Sequence, residues 1–244
     1  MQRLDRILSE AGAGSRKELR AAIRAGRVRV DGRTVTDESL KFDDSAQITL
    51  DGEPVERLHP ILLMLHKPAG YVTSTDDPSG PTVMELIPER YRRLGVMPAG
   101  RLDKATEGLL LLTNDGELAH RIISPRRGVW KTYYAEHEGQ AAQADVDAFA
   151  GGLTLSDGTE CLPAVLIPQG QGRSLVRIRE GKYHQVRRML ASRGMPVSYL
   201  KRLAEGALTL GTLPKGEITE LSIAEAERLM AENTEFFGET DTES

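Results

Sequence analysis

The sequence predicts an α+β protein with a small N-terminal module and a larger domain built on a mixed, mostly antiparallel sheet. Short apolar runs that fit strands, such as 61–65 and 109–112, are interspersed with amphipathic segments that fit helices. They lack the regular alternation of a doubly wound fold. A polar stretch bracketed by prolines, 52–60, separates the two parts. The predicted domains are 1–57, 58–233 and an acidic, disordered tail at 234–244.

The composition is that of an ordinary globular protein, with 244 residues, 39% hydrophobic and 28% charged. No apolar run approaches the ~18 residues that a membrane-spanning helix needs, and the charged N-terminus does not fit a signal peptide. The single cysteine, Cys161, excludes an internal disulfide or a multi-cysteine zinc site and is expected to be a packing residue. These features predict a cytoplasmic protein.

The net charge of −4 hides an uneven distribution. Basic residues are concentrated in the first 35 residues, whereas acidic residues dominate from about residue 217 onward. Local charge governs attraction to a polyanion more than the sum over the chain does. The N-terminal module is therefore a candidate for binding nucleic acid.

This module is predicted to begin with two helices. Leu4, Ile7 and Leu8 share one helical face, and Ser15 with Glu18 has the form of a capping box at the start of the second helix. A solvated helix face and an RNA-binding face explain its basic residues about equally well. The string RLDRILSEAGAGSRKELRAAIRAGRVRVDG resembles an S4 RNA-binding domain. That resemblance implies RNA contacts from Arg16, Lys17, Arg20 and Arg24.

In the larger region, helices are predicted over 117–123, 185–193 and 223–233. Further strands are predicted at 165–167, 175–178 and 208–210.

Four strings in this region could carry chemistry: HKPAGYVTS from residue 66, GRLDKATEGLLLLTNDGE from 100, KTY from 131 and EGKYHQVRRM from 180. Taken singly, each has a plain explanation. Asp103 fits a turn, Arg187 fits a surface charge, and His184 has no neighbouring set of metal ligands. Phosphate-binding glycine motifs and the Gly-x-Ser-x-Gly elbow are missing from the sequence.

In this order, the four strings resemble the RsuA-like family of ribosomal pseudouridine synthases, and the resemblance covers about residues 1–230. It implies an enzyme without cofactor or metal. Asp103 is implied to be the catalytic aspartate, Tyr133 the active-site aromatic residue, and Arg187 the cation that pairs with the aspartate. Substrate-binding positions are implied at Lys67, Arg101, Lys131, Lys182, Tyr183, His184, Gln185, Arg188 and Leu200. Lys67 belongs to a lysine-proline motif that is implied to buttress the pocket.

The implied reaction breaks the bond between ribose C1′ and uracil N1 and rejoins the base through C5. An ionised carboxylate is needed, either as a nucleophile or as a base at C2′, and the sequence does not choose between these routes. The nucleotide must be extruded into the pocket, at a cost recovered through stacking and phosphate contacts. The bases expected to supply such contacts are Arg121, Arg126, Arg127, Lys131, Arg173, Arg177, Arg179, Lys182, Arg188, Lys201 and Arg202.

The predicted partner is ribosomal RNA, in a small-subunit assembly intermediate, and the protein is expected to be a monomer. STDDPSGPTV and KYHQVRRM resemble the small-subunit (16S rRNA) enzymes, whereas large-subunit relatives typically carry asparagine-arginine where Tyr183-His184 stands. The alternatives are the same reaction on 23S rRNA, or an S4-type RNA-binding assembly factor with a catalytically silent second domain.

Overall fold

The structure is a computed structural model that describes residues 1–43, 45–55, 60–78, 80–124 and 128–229. The chain forms two compact units. The first comprises Met1–Pro60 with Arg90–Val96, and the second comprises Ile61–Glu89 with the chain from Met97 onward. The predicted acidic tail at 234–244 lies outside the described residues, as do Arg126 and Arg127.

The first unit contains the two predicted helices followed by short strands. Its elements are β1 (Gln2–Arg3), α1 (Leu4–Glu10), α2 (Arg16–Arg24), β2 (Val28–Val30), β3 (Arg33–Val35), β4 (Lys41–Phe42), β5 (Ile48–Leu50) and β6 (Glu53–Pro54). A four-stranded antiparallel sheet has the order β3-β2-β5-β6, and β1 pairs with β4. The capping box predicted at Ser15 and Glu18 is confirmed. Leu4, Ile7 and Leu8 are buried in one core, as their spacing predicts.

The second unit is organised around one mixed sheet. Its strands are β7 (Leu62–Lys67), β8 (Met97–Pro98), β9 (Glu107–Thr113), β10 (Lys131–His137), β11 (Val165–Pro168), β12 (Arg173–Ile178), β13 (Val197–Glu205), β14 (Leu208–Thr209) and β15 (Ile218–Leu221). The order is β11-β12-β10-β13-β9-β7-β15, with β14 beside β13 and β8 beside β9. Among the described strands, β9 and β13 run parallel and the other neighbours antiparallel. The predicted sheet type is confirmed.

Short helices complete the fold. They are α3 (Glu89–Arg93), α4 (Gly116–Ile123), α5 (Gln143–Gly151), α6 (Gln185–Ala191) and α7 (Ile223–Arg228), with a 3₁₀ turn at Val83–Leu86. Helix α4 begins behind Asp115, whose carboxylate accepts hydrogen bonds from the first-turn amides and so caps the helix. Its buried Leu118 and Ile122 join Leu109 and Leu111 of β9 in an apolar core. This packing anchors the strand that follows the Asp103 segment.

Many of these elements, but not all of them, are predicted by the sequence. Helix α6 ends two residues earlier than predicted. Helix α7 ends at Arg228, because Leu229 lies in a turn, and the predicted remainder at 230–233 lies outside the described residues. No strand is predicted at β8, β10, β13 or β15, and no helix at α3 or α5. Among the described helices, none combines the length and apolar character needed to cross a bilayer.

Candidate active site

A cleft of about 250 Å³ lies in the second unit, where all four of the predicted motifs meet. The residues around it come from 72–73 in the HKPAGYVTS string, from 101–106 (here termed the Asp103 loop), from 181–186 at the start of α6, and from strands β10, β12 and β13. Of the residues singled out in the sequence, the cleft is lined by Arg101, Asp103, Tyr133, Lys182, Tyr183, His184, Gln185 and Leu200. The structure therefore brings together residues that are widely separated in sequence.

Lys67 holds the Asp103 loop from beneath. Its side chain is fully buried, and its amine donates to the backbone carbonyls of Pro68, Asp103, Lys104 and Thr106 at 2.9 to 3.3 Å. Burial lowers the pKa of Lys67 to about 8, against the opposing effects of nearby carboxylates. Lys67 thus supports the loop, as the resemblance implied; its amine bonds to these carbonyls and does not line the cleft, so the structure gives no sign of direct substrate binding by Lys67.

Two further contacts fix the same loop. Thr73 donates its hydroxyl to the carbonyl of Leu102 at 2.8 Å and accepts from the amide of Leu102 at 3.2 Å. The amide of Gly70 donates to the carbonyl of Lys104 at 2.8 Å. The sequence analysis missed the role of Thr73, although it lies within the quoted HKPAGYVTS string. This string and the Asp103 loop act as one structural unit.

Asp103 has a different neighbour from the one expected. Its side chain is 35% exposed, so the carboxylate is not deeply buried, and Nε2 of His184 lies 3.7 Å from its Oδ1. Arg187 instead donates to the carbonyl of Val197 at 3.0 Å and to that of Ala105 at 3.5 Å. The described residues contain no Arg187–Asp103 ion pair, so the expected pairing is corrected: Arg187 joins α6 to β13 and to the Asp103 loop.

The start of α6 presents an aromatic surface at the cleft. His184 adopts a left-handed backbone conformation with φ of 49°, and its ring stacks on Tyr183 with centroids 3.9 Å apart. Tyr183 is 72% exposed, which leaves most of its ring accessible. Gln185 is buried and hydrogen-bonds to Glu180 at 2.7 Å and to the amide of Lys182 at 3.0 Å. Gln185 thus stabilises the turn while also lining the cleft.

The basic residues predicted near the site differ in what their charges contact. Arg101 is exposed on the cleft. Lys182 lies 3.4 Å from Glu180 and also donates to the carbonyl of Glu160. Arg188 pairs with Asp157 at 2.5 Å, and Lys131 is mostly buried, 3.5 Å from Glu205. Arg188 and Lys131 are therefore engaged by the protein itself.

Tyr133 and Leu200 are buried side chains on neighbouring strands that face the cleft. Beneath them, Arg202 and Glu205 are each 1% exposed and lie 3.3 Å apart. The expectation that Arg202 contacts phosphate is wrong, because its guanidinium points into the protein. Sequence reasoning also missed Glu205, and an acidic residue three positions after Arg202 was the only available signal.

In the first unit, four predicted RNA-binding residues border a shallow groove on α2. The groove is lined by Arg16, Lys17, Arg20, Ala21 and Arg24. Arg24 pairs with Glu38 at 2.7 Å, and Arg20 lies 3.7 Å from Asp5. Arg16 and Lys17 are exposed and have no acidic partner within the described part of the chain. Their charges are available to an anionic ligand.

Comparison with known proteins places this architecture in a family. Residues 61–192 match the model for RNA pseudouridylate synthase, and residues 2–48 match the S4 domain. An RNA pseudouridine synthase of Bacillus subtilis is 41% identical, over 90% of this chain and 95% of that protein. Ribosomal small subunit pseudouridine synthase A of Escherichia coli is 40% identical, over 91% of this chain and 98% of its own length. Ribosomal large subunit pseudouridine synthase B of Bacillus subtilis is 35% identical, over 95% and 96%.

A solved structure described as a pseudouridylate synthase superposes with a TM-score of 0.67 at 33% identity, covering 94% of this chain and all of that one. The fold and the cleft thus define an RNA-modifying isomerase with an S4 domain. The chain belongs to the RNA pseudouridine synthase family.

Proposed function

We propose that this enzyme converts a specific uridine of 16S ribosomal RNA to pseudouridine, with Asp103 as the catalytic carboxylate. The observation that carries the proposal is the position of Asp103 in the cleft, on a loop held by Lys67 and Thr73. A reaction that breaks and remakes a bond at ribose C1′ needs a carboxylate at a fixed position, because small displacements from a reactive geometry are costly. The cytoplasm is the proposed location.

The surroundings of Asp103 suit a flipped-out uridine. Tyr133 and Leu200 form the buried floor on which a base can pack, and Arg101 lies at the edge where a phosphate can approach. His184 adjoins the carboxylate, and the exposed ring of Tyr183 can stack on a neighbouring base. These contacts would repay part of the cost of extruding the nucleotide.

We assign substrate RNA contacts in the first unit to the groove on α2, and the domain limits to 1–57 and 58–233. Arg16 and Lys17 are exposed in the groove and have no acidic partner among the described residues, which suits phosphate binding. Replacing both with glutamate should weaken rRNA binding about tenfold or more at low salt, and the salt dependence of binding should become shallower. Replacing Arg33, an exposed arginine of β3, with glutamate tests whether general charge alone explains the effect.

The small-subunit target has support from the relative at 40% identity named for the small subunit, and from the Tyr183-His184 pair. A relative at 35% identity is named for the large subunit, so both rRNAs must be measured. The test is to map pseudouridines in 16S and 23S rRNA from a deletion strain carrying wild-type protein or the Asp103→Asn variant.

We expect one 16S position to lose its pseudouridine in the deletion strain, and only the wild-type protein to restore it. Asp103→Asn should still bind the RNA. Restoration by Asp103→Asn would overturn the catalytic assignment, and loss of a 23S position instead would overturn the target. An unchanged pattern in both rRNAs would favour a non-catalytic assembly factor.

A further inference from the structure

A cluster of buried charges lies directly beneath the cleft and has no counterpart in the mechanism above. Arg202 and Glu205 are each 1% exposed, with 3.3 Å between their charged groups. Lys131, whose side chain is 13% exposed, lies 3.5 Å from the same carboxylate. Removing charges from water is expensive, and well-packed apolar residues are often equally or more stabilising at such positions. Stability alone therefore explains this cluster poorly.

The strand register directs the cluster at Tyr133. Arg202 on β13 is the register partner of Tyr133 on β10 and of Gly108 on β9. Register partners project from the same face of a sheet, so the guanidinium and the phenol are neighbours. Nε of Arg202 donates to the carbonyl of Leu109 at 2.7 Å, which fixes the plane of the guanidinium. Its Nη1 then lies 3.5 Å from the hydroxyl oxygen of Tyr133, a long contact of the kind that tightens in substrate complexes.

This contact has a fixed polarity. A guanidinium has donors and no acceptor, so the oxygen of Tyr133 must accept from Arg202. The hydroxyl proton of Tyr133 must then point away from Arg202. Tyr133 lines the cleft, and so does Asp103, so the proton can be donated into the cleft. Within the described residues, Arg202 is the one hydrogen-bond partner of this hydroxyl.

We infer that Arg202, supported by Glu205, is a positioning residue that makes the hydroxyl of Tyr133 a hydrogen-bond donor into the cleft, toward Asp103 and the bound uridine. The inference rests on the proposed function. Burial raises the pKa of Tyr133, so the phenol keeps the proton that it donates. Burial opposes the charge on Arg202, but Glu205 and Tyr133 outweigh it and raise its pKa, so the guanidinium remains a donor.

The test is a double-mutant cycle on single-turnover conversion of 16S rRNA from the deletion strain. Arg202→Gln should lower the rate about 10- to 100-fold, the scale seen when one oriented donor is lost, and change RNA affinity little. The double variant Arg202→Gln/Tyr133→Phe should be less than ~3-fold slower than Tyr133→Phe alone, because Arg202 acts on the rate through the hydroxyl of Tyr133. Effects that multiply would overturn the inference.

Glu205→Gln keeps the guanidinium of Arg202 and is tested in the same double-mutant cycle. It should lower the single-turnover rate in the wild-type background but not in the Tyr133→Phe background. It provides the answer if Arg202→Gln fails to fold. The matched control is Arg193→Gln. Arg193 does not line the cleft and pairs with Asp145, with 2.7 Å between their charged groups, so its replacement should leave the rate unchanged.

A readout that needs no activity is the ¹⁹F titration of 3-fluorotyrosine placed at position 133. Arg202→Gln should move its midpoint upward, because the cation that favours the phenolate is gone. An unchanged midpoint would contradict the inference even if catalysis were never observed. Activity retained by Asp103→Asn would instead overturn the proposed function and leave the titration result standing.

Discussion

Replacing Lys67 with methionine tests whether the buried amine fixes the Asp103 loop. Methionine keeps an unbranched apolar stem of similar length and removes only the donor. The amine contacts four carbonyls, but an ammonium has three protons, so at most three bonds are complete at any moment. At about 1 kcal/mol net for each bond, the loss is about 3 kcal/mol. Relief from burying the charge, the effect that lowers the pKa of Lys67 to about 8, offsets part of this.

We therefore expect the free energy of unfolding to fall by about 2 kcal/mol, or about 4–8 °C in Tm for a domain of this size. Because three of the four freed carbonyls belong to the loop that carries Asp103, the single-turnover rate should fall about 100-fold, as for a displacement of about 1 Å. Thermal unfolding and rate assays on 16S rRNA measure the two effects.

The stability control is Lys104→Met, which removes an exposed lysine from the same loop and should change the free energy of unfolding by less than about 0.5 kcal/mol. If Lys67→Met melts within 1 °C of wild type and keeps its rate, the amine does not support the loop.

Three further predictions concern other parts of the second unit. Gly108→Ala should prevent folding or cost at least about 3 kcal/mol, because a Cβ there would lie 2.2 Å from the carbonyl oxygen of Arg202 and φ is +110°; Gly116→Ala, with no atom within 4 Å, should melt as wild type does. Cys161 is buried and burial raises the pKa of its thiol, so alkylation at pH 8 should be at least about tenfold slower in the native than in the denatured protein; equal rates would contradict the burial. Tyr183→Ala should weaken rRNA binding by about 1–3 kcal/mol if the exposed ring stacks on a base, and Tyr183→Phe should bind normally.

Some of the fold could be predicted because the local sequence pattern of an element matches the burial and contacts of that element in the structure. The four leucines of β9 are all fully buried, as a continuous apolar run in a central strand suggests. Ser15 and Glu18 form their capping box through contacts within a single turn. In both cases the information lies within a few neighbouring residues.

Other elements were missed because their inward-facing residues are charged. In β13, Arg202 faces the interior and interrupts the apolar pattern that would indicate a strand. In α5, the buried positions include Asp145, which pairs with Arg193 at 2.7 Å and with the amide of Ala142 at 3.0 Å. A pattern of hydrophobicity cannot show that a charged residue is buried, because its burial depends on contacts that the pattern does not contain.

The candidate site was predicted only in part, because side-chain contacts between distant residues cannot be deduced from local patterns. Motif resemblance identified Asp103 and Tyr133 as neighbours, and both line the cleft. It paired Arg187 with Asp103, whereas the described side chain of Arg187 reaches backbone carbonyls instead. Which partner a flexible cation selects depends on distances that only three-dimensional packing defines.

The parallel pairing of β9 with β13 has a mechanical consequence. It joins two antiparallel halves of the sheet through two register pairs, Lys201 with Glu107 and Arg202 with Gly108. Asp103 precedes one of these strands, and Tyr133 belongs to the opposite half. The distance between the carboxylate and the aromatic ring therefore depends in part on the twist between β9 and β13. Substitutions that change the pairing of β9 with β13 would alter the distance between Asp103 and Tyr133 without contacting either side chain.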